Sequence, residues 1–64
     1  MVNYQVYGLL ELQPMNLLYS TPSLALAKQK VKEFKSKYNF EGYVITANGE
    51  PFDFTPNPKF QGAN

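Results

Sequence analysis

The sequence predicts an α+β domain of order ββαββ, with one helix packed across a four-stranded sheet. Three observations carry that prediction. Residues 21–39, TPSLALAKQKVKEFKSKYN, form the single long stretch with a helical period. Two β-prone segments precede it, separated by Gln13-Pro14. After it, Asn48-Gly49 is the strongest short hairpin signal in the chain, because both residues tolerate positive φ. Sixty-four residues make one small domain, near the size at which a single core is barely sufficient.

Residues 3–12, NYQVYGLLEL, alternate as a strand does. Tyr4, Val6, Gly8, Leu10 and Leu12 form the more apolar face and are assigned to the core. Asn3, Gln5, Tyr7, Leu9 and Glu11 form the other. Gly8 on the core face points to a bulge or a close backbone approach. Pro14 cannot donate to a ladder, so the pattern breaks there. A shorter strand over residues 16–20 follows, and the short connection favours an antiparallel hairpin.

Thr21 is the expected N-cap and Pro22 the first helical residue, where no N–H is needed. At 100° per residue, Phe34, Ala27, Tyr38, Val31 and Leu24 fall within an arc of about 80°, one buried stripe. Asn39 suits the left-handed position that ends a helix. Lys35 and Lys37 complement the dipole in the last turns, and Glu33 with Lys37 is an i,i+4 pair in the favoured order.

Tyr43–Thr46 reads as a strand leading into the Asn48-Gly49 turn. A two-residue turn pairs Ala47 with Glu50, Ile45 with Phe52 and Tyr43 with Phe54. Opposed residues share a face, so Tyr43, Ile45, Phe52 and Phe54 are expected on one side and Val44, Thr46 and Asp53 on the other. Residues 1–55 form the domain. Residues 56–64, with little periodicity, read as an irregular tail in which Phe60 either docks back or anchors a partner.

This order of elements resembles the β-grasp arrangement, in which the first and last strands pair in parallel at the centre of the sheet. The small immunoglobulin-binding domains of streptococcal surface proteins share it. The resemblance lies in element order alone and transfers no motif and no binding residue. An antiparallel meander with the helix docked behind it is the alternative.

Composition narrows the function more than any motif does. With no cysteine and no histidine, the chain lacks a thiolate nucleophile, a disulfide framework, the commonest general base and the commonest transition-metal ligand. Glu11, Glu41, Glu50 and Asp53 fall at scattered positions and read as solvated charges. The four glycines form no phosphate-cradling loop. The expectation is a protein that is not an enzyme and holds no cofactor or metal. No apolar run approaches the roughly 18 residues that cross a bilayer, and the opening MVNYQVYG has no signal-peptide pattern. A cytoplasmic location without membrane contact is therefore expected.

Charge is segregated. Residues 22–38 carry five lysines against one glutamate, a balance of +4, and the remainder balances at −3. On the helical wheel Lys28, Lys32 and Lys35 take one flank of the stripe, Lys30 and Lys37 the other, and Leu26 lies on the outward ridge. Lysines so placed commonly lay their methylenes along the stripe and keep their heads in water. Every basic residue is lysine, which disfavours readout of bases or phosphates. The other candidate surface is the sheet face away from the helix, where Tyr7, Leu9, Leu18 and Val44 are expected to point outwards. The leading expectation is a small protein-interaction domain, an adaptor or inhibitor of the kind compact phage or bacterial genomes encode. It would bind another protein or a second copy of itself through Tyr7, Leu9, Leu18 and Val44, or through Leu26, Lys28, Lys32 and Lys35. The alternative is nucleic-acid binding by the lysine-rich helix 22–38.

Overall fold

The computed structural model describes residues 2–10 and 13–60. Its elements are β1 (Tyr4–Leu10), β2 (Gln13–Thr21), α1 (Leu24–Lys37), β3 (Gly42–Ala47) and β4 (Glu50–Pro56). The strands form one sheet in the order β2-β1-β3-β4, every pair antiparallel. The α+β class and the ββαββ order are as the sequence predicts. The strand order is neither alternative. A β-grasp needs a parallel central pair of first and last strands, whereas β1 here meets β3 in antiparallel. A meander needs β2 beside β3, and these lie two strands apart.

One face of the sheet carries α1. The core between them is Val6 from β1, Ala27, Val31 and Phe34 from α1, Phe40, and Tyr43 and Ile45 from β3, with Tyr4, Leu10, Leu18, Tyr19 and Leu24 at its margin. Tyr43 is wholly buried, and its hydroxyl donates to the Phe34 carbonyl at 2.8 Å, with the Tyr38 carbonyl alongside at 3.2 Å. It therefore ties the end of the helix to the middle of the sheet. Gly8 is the close approach expected of it. A methyl group there would lie 2.5 Å from the Phe40 ring, which packs into the vacancy. Register shifts also fall on either side of Gly8.

Several local expectations are corrected. Thr21 does not cap the helix; it ends β2 opposite Tyr4, and its hydroxyl accepts from the backbone N–H of Ser23. Ser23 is the N-cap, accepting from the Leu26 N–H at 3.2 Å. The helix closes in extended backbone at Tyr38, so the left-handed ending at Asn39 is absent. Tyr38 consequently leaves the buried stripe: it is 38% exposed, with its ring against those of Phe34 and Phe40. Glu33 pairs with Lys30 at 3.5 Å instead of reaching Lys37. β2 starts at Gln13, so Pro14 lies within the strand and does not precede it. The assignments made for Glu11, Leu12 and residues 61–64 lie outside the described residues.

The Asn48-Gly49 turn has the positive φ values expected, 52° and 88°. Beyond it the register departs from the two-residue count. Thr46 opposes Pro51, but Ile45 opposes Asp53, leaving Phe52 as an extra residue in β4. A single inserted residue moves everything after it to the other face. Phe54 therefore opposes Val44 away from the helix, and Asp53 and Thr55 turn towards it. The vacancy above Gly42 receives the Phe54 ring, 2.8 Å from where a methyl group would stand. Phe52, on the helix side, meets Tyr4 edge to face at 5.8 Å.

Candidate binding surfaces

The face without a helix can be read row by row from the pairing. Leu17, Tyr7, Val44 and Phe54 oppose one another in turn and cross all four strands. Above that row stand Ser20, Gln5, Thr46 and Pro51; below it stand Leu9, Gly42 and Pro56. None of these eleven residues is charged. Leu17 and Phe54 are each 52% exposed at the two edges, with Tyr7 and Val44 half-buried between them. The Tyr7 hydroxyl donates to the Gln5 side chain at 3.2 Å, which holds both side chains flat along the strand. Thr46 is buried, and its hydroxyl finds no partner among the described residues.

Of the outward residues expected from the sequence, Tyr7 and Val44 stand where predicted. Leu9 is on that face, but only 8% of it is exposed, so it offers little contact area. Leu18 is corrected: it is the extra residue of a bulge between Leu17 and Tyr19 and packs against the core. The exposed leucine is Leu17. Phe54, the largest exposed ring on this face, escaped the sequence reading because the Phe52 bulge reversed it.

The opposite layer holds the lysines. Lys30 lies over the Tyr19 ring at 5.1 Å, on the β2 side of the helix. Lys28, Lys32 and Lys35 lie on the β4 side. There they line a cleft of about 220 Å³ with Val31, Ile45, Asp53 and Thr55. A second cleft of about 310 Å³ continues it, lined by Lys32, Lys35, Ser36, Asn57, Pro58 and Lys59. Its far wall is set by Asn57, whose amide donates to the Phe40 carbonyl at 2.8 Å and whose backbone N–H donates to the Glu41 carbonyl at 2.9 Å. The Asn57 side-chain oxygen in turn accepts from the Lys59 N–H. The segment read as an irregular tail is thus folded back as far as Phe60. Leu26, half-buried, lines neither cleft.

Among the described residues no three acidic side chains converge as a metal site would require. No helix of the structure is long and apolar enough to cross a membrane. No family model, curated protein or solved structure matches the chain.

Proposed function

We propose that the protein is a non-catalytic protein-binding domain whose contact surface is the helix-free face of the sheet. The observation that carries this reading is the uncharged row Leu17, Tyr7, Val44 and Phe54, which spans the sheet from edge to edge. A sheet face left to solvent commonly carries charged residues, and none of the eleven residues read from the pairing on this face is charged. Tyr and Phe supply large contact area at low entropy cost, as the centres of interfaces do.

The partner is a different protein with an uncharged, largely apolar surface, laid flat on the face. Four strands about 4.8 Å apart and five residues rising about 3.4 Å each give a face of about 300 Å². Two copies packed face to face would bury about 600 Å², below the roughly 1,200 Å² of stable pairs. A larger partner can reach past the edges. Strand addition along β4 is disfavoured, since Pro51 and Pro56 cannot donate and Phe52 is bulged.

The test compares wild type with Val44→Lys and Phe54→Lys as immobilised bait, followed by calorimetry with the purified partner. A partner held by wild type, lost by both variants, and binding with a negative heat-capacity change supports the reading. Binding unaffected by either substitution overturns it. So does a partner lost instead on Lys32→Glu, on the opposite layer.

A further inference from the structure

The helix carries its lysines on two flanks that differ in what they meet. On the β2 flank Lys30 has both Glu33 and the Tyr19 ring, and Lys37 lies over the Tyr38 ring at 5.6 Å. On the β4 flank Lys28, Lys32 and Lys35 have no ion pair or ring among the described residues, although Asp53 lines the same cleft. The Asn57 anchor adds Lys59 to this flank from the far end of the chain. Four of the six lysines thus border one continuous groove. Its floor includes the apolar Val31 and Ile45, and its walls include the hydroxyl residues Thr55 and Ser36.

We propose that this groove binds single-stranded nucleic acid through its phosphate backbone, without reading sequence. The argument rests on how the charges are arranged. Lys28, Lys32 and Lys35 are staggered by about 6 Å and then about 4.5 Å along the helix axis, a regular row suited to a polymer with one charge per unit. Point-charge lysines without arginine neutralise phosphates but do not fork onto base edges. The floor residues Val31 and Ile45 are almost wholly buried, so contact rests on the lysine charges and on the hydroxyls of Thr55 and Ser36. An acidic peptide fits less well. Pro51, Pro56 and the bulge deny it main-chain pairing with β4, and the charged walls deny an amphipathic helix its apolar contacts.

The experiment is fluorescence anisotropy of a labelled oligothymidylate of about 20 nucleotides, titrated with the intact protein from about 20 mM salt upwards. Four neutralised phosphates predict a slope of log affinity against log salt of about −3. Lys32→Gln and Lys35→Gln should each reduce the magnitude of that slope by about 0.7 and weaken binding several-fold. Lys37→Gln, an identical charge change on the other flank, should leave both unchanged. No anisotropy change at the lowest salt overturns the proposal. It is also overturned if Lys37→Gln weakens binding as much as Lys32→Gln, which would mark a net-charge effect. Equal or tighter binding of polyglutamate, or of a duplex of the same length, overturns it in favour of an acidic protein or double-stranded ligand.

Discussion

Tyr43 meets two demands with one side chain. Its ring fills the core against Phe40, edge to face at 5.9 Å, and its hydroxyl adds a second donor to the Phe34 carbonyl, which already accepts from the Tyr38 N–H, with the Tyr38 carbonyl alongside. Burial pushes the phenol's pKa above its ordinary value of 10.0, and a backbone hydrogen bond at Phe40 lowers it in part. A raised pKa in the folded state means that the folded protein holds this proton more tightly than the unfolded chain. The corresponding stability is complete below about pH 10 and is lost as pH climbs through the higher folded value. Tyr43→Phe should cost about 1–2 kcal/mol at neutral pH, because it removes the buried hydrogen bond to the Phe34 carbonyl and the hydroxyl's contact with the Tyr38 carbonyl. The variant should also lose less stability than wild type between pH 9 and about pH 11. Urea unfolding followed by circular dichroism across that range checks both, and parallel pH profiles would refute the linkage. That Tyr43 belongs to the core was legible from its place opposite apolar neighbours in a strand. The role of its hydroxyl was not, since the Phe34 and Tyr38 carbonyls become its neighbours only when the helix is seated.

Elements were readable where their period was long and poorly readable where one residue decided the answer. Leu24, Ala27, Val31 and Phe34 repeat at helical spacing over three turns, and all four pack on the sheet. The helix start was ambiguous because Thr21 and Ser23 both have capping hydroxyls. The pairing of Thr21 with Tyr4 extends β2 by one residue and hands the cap to Ser23. Ser23→Ala should therefore cost about 1 kcal/mol of stability in a chemical melt. A loss confined to Thr21→Val would return the cap to Thr21. In the second hairpin the turn itself was legible, and the strand beyond it was not. Pro51 opposes Thr46, the next residue bulges, and the alternation restarts one step out of phase. Counting from the turn cannot detect such an insertion; the small residue Gly42, able to receive a ring, was the available hint. That slip moved Phe54 onto the open face and Asp53 into the lysine groove, so both candidate surfaces were only half visible in the sequence.

At the scale of the molecule, the helix sits over β1, β2 and β3 and leaves β4 as a shelf. Apart from the bulged Phe52, its helix-facing residues, Glu50, Asp53 and Thr55, are polar, and nearly every residue of the strand is exposed. Amides of β4 should accordingly exchange with deuterium faster than those of β1 and β3, as low-burial edges do. Equal protection in an exchange experiment would mean that the shelf unfolds only with the core. Neither the shelf nor the groove beside it could be inferred from local patterns, because both depend on strand order, which no segment specifies by itself. The same order has a temporal consequence. β1 is made before both of its neighbours, and the second of them, β3, begins only after roughly thirty further residues, about two to six seconds of synthesis at ~5–20 residues per second. Through that interval the strand destined for the middle has one hydrogen-bonding side vacant, and Val6 has not yet met Ile45. The newborn chain is most open to mispairing at the place where the finished one is most tightly closed.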